Sequence, residues 1–440
     1  MARILLVRPE ESRSKYDFQG VIENECLDLE WICKILSDQG HEVTIFDKQV
    51  ESASFTSFIT DKQFEVFYGE SRCFQEPFIL EYAKAFKDKY NGLVILGGIH
   101  AQICRQRLFQ DYVDLILSGY NYYDLPSIIE GRRDADNLSY KTATGWISNS
   151  TEAVDINDLP WPDRSCFYAH PERYQYLELK HAMWIRSSFS CPYRCRFCIR
   201  NRMNNSLYSR RNVYDLIDEI ESNDNENVYL VDDDFLFDEK YLQNFLDEIR
   251  KRNIRRKYIC YGRADFICSH EKLMKEFADL GLYYVLVGFE DIRNSRLNDY
   301  NKVNTVENNE KCIEICNRYG IRLIAMFILG LDYVGRDFSD LYAYIKKHDL
   351  KHVAVSIYTP ELGISKDVEY ITDDLTHFDY LHLVCKPDHL SVRSWYFHYY
   401  VLLIKLFLKA RRDGVYDFID YGDYIRSFIR NIFMKEKTHE

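Results

Sequence analysis

Cys191, Cys195 and Cys198 stand close together in the stretch SCPYRCRFC, Ser190 to Cys198, with the spacing C-x3-C-x2-C. Thiolates are the ligands of soft metals and of iron–sulfur clusters. A closed structural zinc site takes four ligands, commonly in paired C-x2-C units. No second pair stands at a suitable spacing, so His170 or His181 would have to complete such a site. A disulfide would leave one thiol over. A four-iron cube held by three cysteines leaves one iron without a protein ligand, and an open coordination position is where a metal site does chemistry. The other candidates end strand-like runs: Asp232–Asp234 in NVYLVDDD, Arg263 and Asp265 in KYICYGRAD, Glu290 in YYVLVGFED and Thr359 in HVAVSIYTP.

These residues need a scaffold that gathers strand ends. From HAMWIRS (181–187) to HVAVSIYTP (352–360), six strand-like runs alternate with helix-like ones, several closed by glycine such as Gly281 and Gly320. The series is shorter than an eight-stranded barrel but follows the same logic, in which functional groups gather at the strand carboxyl ends. A first series precedes it: RILLVRP (3–9), HEVTIFD (41–47), FEVFYGES (64–71), GLVILGGIHA (92–101) and VDLILSGY (113–120), with amphipathic stretches between. Nearly continuous apolar strands alternating with helices predict a parallel, doubly wound α/β sheet. Such a sheet binds ligands beyond its strand carboxyl ends, here in loops 10–19, 70–72, 97–101 and 119–121. No G-x-G-x-x-G follows the first strand, which removes the usual dinucleotide fingerprint.

Residues 133–175 are polar, turn-rich and carry prolines, and read as a linker. The expected organisation is therefore a Rossmann-like domain over 1–132, a linker over 133–175, a partial (β/α)6 TIM-type barrel over 176–372 and a helical region over 373–440.

The 440 residues are 46% hydrophobic and 29% charged, as in a soluble globular protein of two or three domains. A net charge of −12 argues against a nucleic-acid binder, which needs a basic face. RKRNIRRK (250–257) reads as a solvated helix end. Thirteen cysteines, an odd number, and an N-terminus without the layout of a secretory signal predict reduced thiols and a cytoplasmic location. The longest apolar run, WYFHYYVLLIKLFLKARR, is interrupted by His398 and Lys405. It reads as a helix packed on the core, with no integral membrane segment expected.

The cysteine loop, with Phe197 before the last cysteine, resembles that of radical S-adenosylmethionine (SAM) enzymes. The segments ahead of it, including LVILGGIHA, VDLILSGY and DLPWPDRS, are similar to the cobalamin-binding branch of that superfamily, as is LNDYNKVNTVENNEKCIEICNRYGIR after the fourth barrel strand. The resemblance covers nearly the whole chain. It implies a [4Fe–4S] cluster on Cys191, Cys195 and Cys198, with SAM on the fourth iron. It further implies Phe197, Asp233, Asp234, Arg263, Glu290 and Gly330 at the SAM site, and cobalamin held near Gly97, Gly98 and Gly119 by loops 65–72 and 97–101.

The expected activity is C-methylation of a small molecule through a 5′-deoxyadenosyl radical, with an electron donor such as flavodoxin or ferredoxin. Rearrangement, cyclisation or oxidation on the same architecture is one alternative. A non-catalytic iron–sulfur or zinc-binding sensor module is another. Two segments depart from the branch. The D-x-H-x-x-G motif is absent, as in many of its members, and Tyr120 and Tyr122 replace the usual small and acidic residues of SGYNYYDLP.

Overall fold

A computed structural model describes residues 1–10, 22–360, 362 and 368–419. The expected loop 10–19 lies outside the described residues except for Glu10. Most of YTPELGISK after Pro360, and residues 420–440 of the expected helical region, also lie outside them.

The first sheet has the strand order β2-β1-β3-β4-β5-β6-β7. Its strands are β1 (Arg3–Arg8), β2 (Glu42–Asp47), β3 (Val66–Glu70), β4 (Leu93–Gly97), β5 (Leu115–Leu117), β6 (Leu138–Thr142) and β7 (Gly145–Ser148). The first five run parallel. Apart from the edge strand β2, their centres are buried on both faces, which is why they read as unbroken apolar runs. Strand order reverses at β1, between β2 and β3, and this puts the ligand crevice beyond Arg8 and Glu70.

The hairpin β6–β7 pairs antiparallel with the edge strand β5. This corrects the linker expected from residue 133: Leu138–Ser148 belongs to the first sheet. The hairpin buries little beyond Leu138 and Ser139, so its sequence looks like a polar connection.

The second sheet is an open barrel of six parallel strands in sequence order: β8 (Met183–Ile185), β9 (Asn227–Leu230), β10 (Lys257–Gly262), β11 (Leu282–Glu290), β12 (Arg322–Leu329) and β13 (His352–Ile357). Helices such as Val213–Glu221 and Glu239–Lys251 cover its outside through Leu216, Ile220, Phe245 and Ile249, all fully buried. Burying one such side chain contributes roughly 1.5–3 kcal/mol. A small sheet joins the two halves: Ile22–Glu23 pairs with Gln175–Tyr176, which pairs with Leu179–Lys180.

The C-terminal helix Val392–Arg412 packs on the barrel through Trp395, Tyr399 and Leu402. Its start is fixed by Ser391, whose hydroxyl accepts from the Ser394 N–H. The preceding stretch, expected to be helical from residue 373, is instead a turn at Leu375–His377 with a bridge between Tyr370 and Cys385. Among the described residues, no helix is long and apolar enough to cross a membrane.

Candidate active site

The cysteine loop leaves the end of β8. Asp232, just past β9, anchors it by accepting from the Ser187 N–H (2.8 Å), the Ser187 hydroxyl (2.6 Å) and the Ser188 hydroxyl (2.7 Å). Ser188–Phe189 then pairs with Ser209–Arg210. Ser190 turns the chain at φ 65° and its hydroxyl donates to the Arg200 carbonyl.

The segment after β11 clamps the far side of the loop. The Arg196 N–H donates to the Tyr300 carbonyl at 2.9 Å, and the Asn301 amide donates to the Arg194 carbonyl at 2.8 Å. Phe197 meets Tyr300 edge-to-face at 5.1 Å. The three thiols thus sit on a loop fixed at both flanks, as a preorganised ligand set requires.

Cys191, Cys195, Cys198, Phe197, Asp233, Asp234, Arg263, Glu290 and Gly98 all line one cavity of about 520 Å³ between the two sheets. Gly97, Gly119 and Gly330 do not. Side chains fill the space beside each of them: a Cβ would strike the Tyr68 hydroxyl at Gly97, the Asn137 amide at Gly119 and the Asp332 carboxylate at Gly330. None of the three glycines lines the cavity in this structure, and their backbones pack against these side chains. Thr359 is also absent from the cavity wall, and its hydroxyl is spent on the Ile357 carbonyl.

The charged groups differ sharply. Asp234 is 4% exposed, and neither carboxylate oxygen has a hydrogen-bond partner. Burial pushes its pKa up to about 7 against the pull of Arg263 and Lys302. Asp233 pairs with Arg200 at 3.3 Å. Arg263 spends its donors on Asp265 and on the Lys302 and Val303 carbonyls, and its guanidinium covers the Tyr193 ring at 3.8 Å. Glu290, at φ 62° after a bulge in β11, holds Lys302 at 2.6 Å.

The sequence reading missed Lys302, Arg200 and Arg186 as cavity residues. Lys302 lay in a stretch already singled out, LNDYNKVN. Arg186 is an isolated charge after a strand.

The donor set fits a cluster with one open iron. Three thiols and one unpartnered buried carboxylate face the same space. Burial pushes Cys191 up to about 12 and Cys198 up to about 11, so these two thiols keep their protons until a cationic centre displaces them. Among the described residues, no three His, Cys, Asp or Glu side chains are grouped closely enough to hold a single metal ion. His181 sits at the opposite end of β8 and His170 is half exposed, so neither completes a zinc site with these cysteines.

On the first sheet's side, the cavity wall holds Arg8, Glu70, Ser71, Arg72 and Gly98 from the switch-point crevice. Burial, with Asp28 nearby, pushes Glu70 up to about 8. Among the described residues no histidine lines the cavity. His100 is turned into the core, where it meets Glu76 at 2.5 Å. Tyr120 stacks on Phe189 of the cysteine loop, with centroids 3.9 Å apart and planes 4° off parallel. The Tyr122 hydroxyl reaches Asp28.

The radical SAM superfamily model matches residues 185–345, from the end of β8 to the helix before β13. The chain carries a radical SAM domain. Beyond that domain, the chain is similar to the anaerobic magnesium-protoporphyrin IX monomethyl ester cyclase of Rubrivivax gelatinosus (24% identity over 67% of this chain). It spans 57% of that cyclase's length. It is also similar to the hopanoid C-3 methylase of Methylococcus capsulatus, at 22% identity over 84% of this chain and 74% of the methylase. The radical SAM methyltransferase TsrM of Kitasatospora setae, solved with cobalamin and a [4Fe–4S] cluster, superposes with a TM-score of 0.67. The superposition covers 90% of this chain and 84% of TsrM at 17% identity. The fold is that of a doubly wound domain followed by a radical SAM partial barrel.

Proposed function

We propose that the protein is a cobalamin-dependent radical SAM methyltransferase acting on an unactivated carbon of a small molecule. The observation that carries this reading is the incomplete donor set: three thiols and the unpartnered Asp234 carboxylate facing the switch-point crevice. When bound, the cluster, SAM and cobalamin supply a 5′-deoxyadenosyl radical and a methyl group; the protein supplies binding, orientation and exclusion of water.

Cys191, Cys195 and Cys198 would supply the thiolates that hold a cluster. Asp234, a buried carboxylate without a hydrogen-bond partner, would receive the ammonium of bound SAM. Arg200, fixed by Asp233 and with its N–H 3.5 Å from the Cys198 sulfur, offers positive charge beside the cluster and the SAM carboxylate. Arg263 and Phe197 act as positioning residues, through Tyr193 and Tyr300. The Glu290–Lys302 pair borders the substrate space. Ser71, Arg72 and Gly98 would border a bound corrin. Tyr120, stacked on Phe189, lines the cavity beside the cysteine loop.

One-electron reduction calls for a donor of the flavodoxin or ferredoxin class. Cys191, Cys195 and Cys198 are free thiols, which suits a reducing cytoplasm. The methylase and TsrM support methyl transfer, whereas the cyclase supports radical chemistry without it.

Anaerobic reconstitution followed by product mass spectrometry decides between them. Methyl transfer predicts iron–sulfur absorbance, 5′-deoxyadenosine and a product heavier by one methylene. 5′-Deoxyadenosine without that gain refutes methylation. Loss of the absorbance in Cys195→Ala is expected, and its retention would refute the cluster assignment.

A further inference from the structure

A second cavity of about 280 Å³ lies inside the barrel, on the side closed by the C-terminal helix. It shares Ile22, Tyr176, Tyr261 and Met326 with the cofactor cavity, so these side chains form a common partition. Beyond the partition the wall is hydrocarbon: Leu286 and Ile324 from the barrel, Leu406 and Ala410 from the helix.

The charged groups there are committed elsewhere or lie at the rim. Lys409 is 4% exposed; its ammonium donates to the Leu350 carbonyl at 2.9 Å and to Asp413 at 2.6 Å. His352 meets the Tyr284 hydroxyl at 3.2 Å, and burial lowers its pKa to about 4, which leaves it neutral at pH 7. Lys351 is exposed at the edge. Ala354 on β13 is exposed and opens onto the cavity, while Leu286 and Ile324 are buried.

An apolar chamber behind a polar cofactor cavity sorts one molecule by its two ends. We propose that this second cavity receives an apolar chain or ring system of the substrate while its reacting carbon lies in the cofactor cavity. The inference rests on the radical-enzyme reading for the identity of the first cavity; the chamber's ligand chemistry stands on its own walls. Apart from Lys351 at the exposed edge, the charged groups lining the space are already engaged.

The test uses the full chain and a series of dansylamino-alkanoic acids of increasing length, read by fluorescence. Burial of each added methylene raises affinity about fourfold until the chamber is filled. Ala354→Phe fills the exposed space and is expected to weaken the longest probe at least tenfold, with SAM binding unchanged. The chain-length series in the wild-type protein is a second readout that does not depend on the variant folding. Absence of saturable binding, an affinity independent of chain length, or unchanged binding in a folded Ala354→Phe protein overturns the inference. If the cluster fails to assemble while the probes bind with the expected length dependence, the enzyme reading fails and the apolar chamber stands. If SAM is cleaved but long probes do not bind, the chamber assignment fails alone.

Discussion

Replacing Arg164 by Met is expected to loosen the junction between the two sheets. Arg164 is buried and reaches three carboxylates that are nearly or fully buried themselves. It donates to Glu25, ahead of the helix Leu27–Asp38, and to Glu219 on Val213–Glu221 at 2.6 Å, and stands 3.8 Å from Glu30. Glu25 also accepts from the Trp184 N–H at 2.6 Å, at the start of the strand that leads to the cysteines. Glu219 keeps a second cation, Arg211, when Arg164 is removed. Glu25 and Glu30 do not. Methionine retains most of the apolar stem, so the loss is chiefly electrostatic.

Breaking a buried pair in this way costs about 3–5 kcal/mol. The cost has a pH signature. Carboxylates stranded in the core have folded pKa values above their unfolded ones, so the penalty is full at neutral pH and shrinks as they take up protons towards pH 5. Urea unfolding followed by tryptophan fluorescence measures it, since Trp184 touches the network and Trp31 lies on the adjoining helix. The double variant Arg164→Met, Glu30→Gln should recover part of the loss, because the Glu30 oxygens have no hydrogen-bond partner to forfeit. A stability change below about 1 kcal/mol with no pH dependence would refute the reasoning.

Asp234→Asn should leave the iron–sulfur absorbance intact and weaken SAM binding by about 10–100-fold, the value of a hydrogen bond to a charged group, as measured by calorimetry. Asp232→Ala should do the reverse, lowering cluster content because the Ser187 and Ser188 anchors are lost; equal effects from the two variants would contradict their separate roles. His352 has a folded pKa near 4 against 6.5 unfolded, so its contribution is present above pH 6.5 and lost as pH falls towards 4, by up to about 3 kcal/mol. The acid limb of the unfolding midpoint should flatten in His352→Gln. Tyr120→Ala should cost about 3–5 kcal/mol through loss of the Phe189 stack, whereas Tyr120→Phe should be nearly neutral in the same denaturation assay.

Both sheets were legible because parallel strands buried on two faces leave continuous apolar runs, as in LVILG and YYVLVGF. Helix ends were legible where glycine takes a positive φ, as at Gly281 (φ 116°). The cysteine spacing and the strand-end aspartates pointed to one site, and the structure gathers them around one cavity. Less was legible where the stabilising partner is remote in sequence. The hairpin β6–β7 looks polar because only its first residues are covered. The two-residue strand Ile22–Glu23 has no periodicity to read and exists through its pairing with Gln175–Tyr176. Arg263 lines the cavity, as its place at a strand end implied, and its Nε and Nη2 donate to Asp265 and to the Lys302 and Val303 carbonyls. The glycines at 97, 119 and 330 looked like open backbone, but neighbouring side chains occupy the space.

The small sheet and the Arg164 network together limit how this architecture can be exchanged. Residues 22–23 and 25 belong to the first half, yet their partners are Gln175, Tyr176, Arg164 and the Trp184 backbone. A first half transplanted from another chain would arrive without the matching strand edge and with two buried acids unmatched. Its successful inheritance therefore requires the stretch from Arg164 to Trp184 to travel with it, and that stretch ends where the cysteine loop begins.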